Sequence, residues 1–210
     1  PPVENLVYRQ YEKNPDIIDD NSCYWFNQAQ YEYLLTDNDI DVIVLVSRWV
    51  TAIEGSRFDN GEGGVERHDF PPHVDFVVNE EPVFEADYDK LRPLIIQQYR
   101  RSLKKLIDSG KKLVVVYPTP ETGWAVPNYL ANFIISNSLS AVSPLTGSTS
   151  YDLFKERNKR AYELLDSLGE HKNLIRVYPE KIFCNSNVQG RCVVHLDGDP
   201  LYKDADHLSD

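Results

Sequence analysis

Basic residues are in short supply in this chain. Its 210 residues carry 22 Lys and Arg against 33 Asp and Glu, a formal net charge of −11. A nucleic-acid backbone is bound by Lys and Arg that displace condensed counterions, so this balance argues against nucleic acid as a partner. It says little about fold. Long hydrophobic runs are missing as well. The longest, such as Val42-Ile43-Val44-Leu45-Val46, are strand-sized and far short of the ~20 residues of a membrane-spanning helix. The start, Pro1-Pro2-Val3-Glu4, has no basic residue and no apolar core, so it does not read as a signal peptide. Methionine is absent, which decides nothing about the fold. Cysteine is scarce, with Cys23, Cys184 and Cys192 alone. No second Cys/His pair has ligand spacing, and His68 and His73 fit no familiar site, so neither a metal nor a cofactor is expected.

What is present suits a folded globule. Charged residues make up 26% and the apolar content is ordinary, so residues 1–210 are expected to form a single α/β domain. Residues 24–35 read as an amphipathic helix. Val42 to Val46 follow as a continuous apolar run, the mark of a strand buried on both faces of a parallel sheet. Residues 54–84 lack periodicity and read as a long loop or small excursion. Residues 87–109 form a strong helix, with Leu91, Leu94, Ile95, Tyr99, Leu103, Leu106 and Ile107 at helical spacing and Gly110 as its stop. Lys112 to Tyr117 is a second buried strand. Residues 124–148 read as irregular with short helical pieces. A helix over Tyr151 to Leu168 and a strand over Asn173 to Val177 repeat the pattern of a parallel sheet. Leu208-Ser209-Asp210 reads as a helix start.

Cys184 and Cys192 flank the polar loop Asn185 to Arg191. Two cysteines closing such a loop suggest a disulfide-pinned hairpin and an oxidising compartment. Two free thiols are the other reading. Cys23 is left over, with a partner expected outside the chain.

Asp204, Asp206 and His207 are the first candidates for chemistry. A His general base needs a carboxylate on its far nitrogen to fix its tautomer. Asp204, three residues before His207 in a turn, can supply one. Asp206 is adjacent to His207 in sequence and is expected to point elsewhere. On spacing alone a polar surface turn with a helix cap is the favoured reading, since isolated Asp-x-x-His strings are common. Ser47 and Ser56 lack the strand-turn-helix setting of a nucleophile.

Order along the chain adds weight. Arg48-Trp49 ends one strand, Tyr117-Pro118-Thr119-Pro120-Glu121 ends another, the Cys184 and Cys192 loop follows, and Leu201-Tyr202, Asp204 and His207-Leu208-Ser209 close the series. In this order the chain, from about residue 20 onward, resembles the SGNH (GDSL-type) hydrolase superfamily. In detail it looks like the extracytoplasmic version fused to type-3 integral-membrane acyltransferases. The resemblance implies a three-layer α/β/α sandwich with a small, mostly parallel sheet. It assigns the catalytic Asp and His roles to Asp204 and His207. It puts Arg48, Trp49 and Glu121 at the oxyanion or substrate, Trp49 as a wall on which a sugar stacks, although Arg48-Trp49 stands where many relatives carry Gly-x-Asn. A surface Arg48, a core Trp49 and, as the favoured reading of Glu121, a plain loop carboxylate are the alternatives. The family's nucleophilic Ser lies in a Gly-Asp-Ser block that these residues do not contain, so the first strand and the nucleophile are expected upstream of Pro1.

The function implied is transfer of an acyl group, acetyl in the first instance, to a bacterial surface polysaccharide such as lipopolysaccharide. An integral-membrane acyltransferase domain would deliver the acyl donor. The location implied is periplasmic, tethered to the inner membrane. Carbohydrate ester hydrolysis and a non-catalytic glycan-binding module are the alternatives; a Ser-bearing turn upstream would discriminate against the latter.

Overall fold

A computed structural model of the protein describes residues 6–7, 22–66, 75–78, 81–83, 88–138 and 141–209. They fall into two compact units. The first draws on Pro1–Ser56, Phe70–Tyr117 and Arg160–Val177, the second on Arg57–Asp69, Pro118–Lys159 and Tyr178–Asp210. Cys23, His68, His73 and the aromatic residues near the amino terminus lie outside the residues whose side chains are described.

The first unit holds a small antiparallel sheet, β1 (Leu6–Val7), β3 (Asp75–Val78) and β4 (Glu81–Val83). Its main sheet is parallel, in the order β2 (Val42–Leu45), β5 (Lys112–Val116), β7 (Leu174–Val177). Helices α1 (Ser22–Thr36), α2 (Trp49–Glu54) and α3 (Tyr88–Asp108) belong to this unit, and α5 (Tyr151–Asp166) ends in it. The apolar stripe of α3 is as expected: Leu91, Ile95, Leu103, Leu106 and Ile107 are buried. Pro93 lies inside α3, in its second turn, where it removes one intrahelical hydrogen bond. Helix α1 is joined to α3 by the Tyr31 hydroxyl, which donates to Ser102 O at 2.9 Å.

The sheet departs from expectation in one respect. Ile43, Leu113, Val115 and Leu174 form a buried face, whereas Val42, Val44, Val46, Ile175 and Val177 on the other are 40–69% exposed. Among the described residues these strands are therefore buried on one face, where burial on both was expected. The strand order explains this. Right-handed crossovers that step from β2 to β5 to β7 advance in one direction, and all such crossovers place their helices on the same side.

The second unit is built from α4 (Val126–Asn137), α6 (Glu180–Phe183) and the short antiparallel pairs β6 (Thr149–Ser150) with β8 (Arg191–Cys192) and β9 (His195–Leu196) with β10 (Asp199–Pro200). Helix α4 replaces the irregular stretch expected there, and Pro127 is tolerated in its first turn. Cys184 and Cys192 form a disulfide. His195 is fully buried; its Nδ1 accepts from Gly198 N and its Nε2 lies 3.1 Å from Ser143 O. Leu208 does not start a helix but bridges Tyr202.

Candidate active site

The segment from Tyr202 to Leu208 is a closed loop. Its ends meet in the Tyr202–Leu208 bridge, and Lys203 N donates to His207 O at 3.0 Å. Inside it, Asp204 behaves as a short polar residue does in a tight turn, bonding to backbone amides just ahead. Its Oδ1 accepts from Asp206 N at 3.0 Å and from His207 N at 2.8 Å. Its Oδ2 lies 2.8 Å from His207 Nδ1. One carboxylate therefore shapes the turn with one oxygen and holds the ring with the other.

The electrostatics suit the geometry. Partial burial raises the Asp204 pKa, but the two backbone amides and the His207 ring outweigh it and hold the carboxyl at about 2. The carboxylate is thus an obligate acceptor at neutral pH, which places the neutral ring's proton on Nδ1 and the lone pair on Nε2. The His207 side chain is 60% exposed. Asp206 Oδ1 stands 3.6 Å from the same Nδ1, beyond hydrogen-bond distance. Asp204, Asp206 and His207 also bring ligand atoms within 4.8 Å of one another, the one such group among the described residues that could hold a metal ion. Exposed acidic groups cluster often without one.

The other expected site residues are placed as follows. Glu121 is in the second unit with Asp204 and His207, and its next neighbour Thr122 bonds to Ala205. Its carboxylate is nearly buried and pairs with Arg157 at 2.9 Å, so it is neutralised by a fixed cation. Arg48 and Trp49 belong to the first unit, at the start of α2. Trp49 is 1% exposed, donates from its indole to Val116 O at 2.8 Å and packs edge-on to Tyr99. Its ring is core, with no open face for a sugar to stack on. Thr122 and Asn60 were not singled out by sequence; both are buried, Thr122 bonding to Ala205 O and Asn60 Nδ2 to Thr122 O, peptide oxygens for which a sequence carries no signal.

A family model described as "SGNH domain (fused to AT3 domains)" matches residues 1–210. The chain belongs to this SGNH family. No curated protein matches the SGNH chain. Among solved structures it is similar to the periplasmic domain of a lipopolysaccharide acetyltransferase from Salmonella ser. Paratyphi A, with TM-score 0.54 and 13% identity. That match covers 97% of the SGNH chain and 61% of the other, so the chain spans under two thirds of its neighbour. At this identity the likeness is one of fold, and it agrees with the small parallel sheet and its helices. No helix among the described residues is long and apolar enough to cross a membrane.

Proposed function

We propose that this SGNH domain supplies the acid–base half of a serine-dependent O-acyltransferase site. The carrying observation is His207 Nδ1 at 2.8 Å from Asp204 Oδ2, on a ring otherwise open to solvent. A serine outside these 210 residues attacks the acyl donor and passes its proton to His207 Nε2. His207 returns that proton to the leaving group. An acceptor hydroxyl then gives its proton to Nε2 and takes the acyl group, and His207 reprotonates the serine as it departs. Asp204 orients the ring and stabilises the transient imidazolium without taking up the proton.

The family's fusion to AT3 domains supports a membrane acyltransferase domain as source of the acyl group. The structural neighbour, the periplasmic domain of a lipopolysaccharide acetyltransferase, supports acetyl as the group, lipopolysaccharide-type polysaccharide as the acceptor, and the periplasm as the place. Water and a sugar hydroxyl compete for the same acyl-enzyme, so ester hydrolysis is the rival outcome. The test is turnover of an acyl ester by the full-length protein, with and without acceptor polysaccharide, beside His207→Ala. The expected result is acceptor-dependent transfer that falls about 10³-fold or more in the variant. Hydrolysis indifferent to acceptor would sink the transferase reading, and undiminished turnover by His207→Ala would sink the acid–base role.

A further inference from the structure

The Asp204 loop does not hold itself in place. Its carbonyls are gripped from a different part of the second unit. Thr122 N donates to Ala205 O at 3.0 Å, and the Thr122 hydroxyl lies 3.0 Å from the same oxygen. Val126 N donates to Asp204 O at 3.3 Å. Thr122 is fully buried. Its own carbonyl accepts from Asn60 Nδ2 at 2.9 Å, and Asn60 is 2% exposed.

Asn60 is fixed in turn by its own loop. Its Oδ1 accepts from Glu62 N at 2.8 Å and Gly64 N at 2.9 Å, and its backbone N donates to Gly64 O at 2.9 Å. The far side of that loop is anchored where Arg191 pairs with both Glu62 carboxylate oxygens at 2.6 Å. Gly64 passes so close that a Cβ there would lie 2.3 Å from Asn60 Nδ2 and 2.7 Å from the Trp124 ring. A Cβ on Gly123 would lie 2.5 Å from Gly64 O. Backbone is thus packed on backbone, leaving little room for drift.

We infer that Asn60 and Thr122 are positioning residues for the Asp204–His207 pair. The inference rests on the acid–base role proposed above. Asn60 sets the height of the Thr122 peptide, Thr122 sets the Ala205 carbonyl, and the Ala205 peptide fixes where the Asp204 carboxylate and the amides of Asp206 and His207 lie. Neither Asn60 nor Thr122 has a role in the chemistry itself. Asn60 satisfies the inventory of a buried amide: its Oδ1 takes two donors and its Nδ2 gives one, whereas a buried carboxylate at the same place would face Thr122 O with no proton to share.

The variants that test this are Asn60→Asp, which keeps the shape and two acceptor bonds but removes the donor, and Thr122→Val, which removes the hydroxyl alone. Thr122→Ser is the conservative rescue. Ring-nitrogen NMR shifts report which nitrogen of His207 carries its proton, a quantity that merely structural loosening elsewhere would not move. The expected result is a wild-type ring protonated on Nδ1 and a shift toward Nε2 protonation in Asn60→Asp and Thr122→Val, with Thr122→Ser near wild type. In the full-length protein, kcat is expected to fall about 10- to 100-fold with KM little changed. Should a variant fail to fold, amide hydrogen exchange of the unaltered chain decides: the amides of Thr122, Asp206 and His207 are expected among the slowly exchanging set.

Unchanged His207 ring shifts in the folded variants would overturn the inference, as would fast exchange of those three amides in the unaltered chain. If the ring shifts respond while His207→Ala leaves turnover intact, positioning stands and the acid–base role falls.

Discussion

At the scale of single residues, the two oxygens of Asp204 have separate tasks. Asparagine at this position can still accept the two turn amides with its oxygen, but it turns an NH₂ toward His207 Nδ1. The ring would then have to accept at Nδ1 and carry its proton on Nε2, the wrong tautomer for a base. Asp204→Asn is expected to fold with a somewhat lower melting midpoint at neutral pH and to lower kcat of the full-length protein about 10³- to 10⁴-fold. Thermal melting and steady-state kinetics measure the two halves of that expectation.

Acid gives an independent check on Asp204. Its folded pKa of about 2 lies below that of an unfolded Asp. Above pH ~4 the carboxylate is charged in both states and its contribution to stability is complete. As pH falls from ~4 toward ~2 the unfolded chain takes up the proton first, so the contribution fades through that window. A denaturant series at stepped pH is expected to show a smaller loss between these values in Asp204→Asn than in the unaltered chain. Glu121 makes a contrasting case. Removing its charge breaks the close ion pair with Arg157, whose side chain is 11% exposed. Glu121→Gln is expected to cost about 3 kcal/mol of folding stability by urea denaturation, whatever its effect on turnover.

At the scale of elements, the sequence was most readable where one physical cause dominated. Helix α3 follows from a repeated apolar stripe and a closing Gly110, and its observed bounds lie within a residue of those expected. The loop between Cys184 and Cys192 was legible because two cysteines close a short polar segment, although spacing alone left free thiols open. Helix α4 was not legible. Val126 and Leu130 are buried while Ile135 is 75% exposed, so its apolar residues do not keep to one stripe. The Asp204–His207 pair was readable as residue types at a plausible spacing, but the grip of Thr122 on Ala205 was not, since it uses a peptide oxygen that every residue has. The disulfide closes a loop with a sequence separation of eight, which in the chain-entropy account corresponds to roughly 2–3 kcal/mol. Replacing Cys184 and Cys192 together by Ser is expected to lower unfolding free energy by about that amount, with reduction of the native protein giving a matching loss.

At the scale of the whole molecule, the parallel sheet winds in one direction. Each strand was visible in the sequence as an apolar run, but an apolar run does not reveal how many faces it buries; that depends on strand order, a property of the chain as a whole. The described residues leave a row of aliphatic side chains open on the second face, and Val44, Val114 and Ile175 lie side by side across it. Contiguous apolar surface of this kind binds apolar probes. The 210-residue chain is expected to bind a hydrophobic dye, and Val44→Thr with Ile175→Thr to lower that signal without lowering the melting midpoint. Val115→Thr, on the buried face, is expected to lower the midpoint. Equal losses for the two faces would mean that the second is covered too.

The close passage of Gly64 over Gly123 and Trp124 carries a consequence for how this domain can diverge. Two loops far apart in the chain meet there with no side chain between them, and the indole fills the space that a Cβ on Gly64 would need. Neither partner can change alone. A homologue with a side chain at position 64 must differ at both 60 and 124 or carry a re-routed loop. Substitutions at 60, 64, 123 and 124 are therefore expected to arrive as linked sets, a covariation that an alignment of relatives can count without any protein being made.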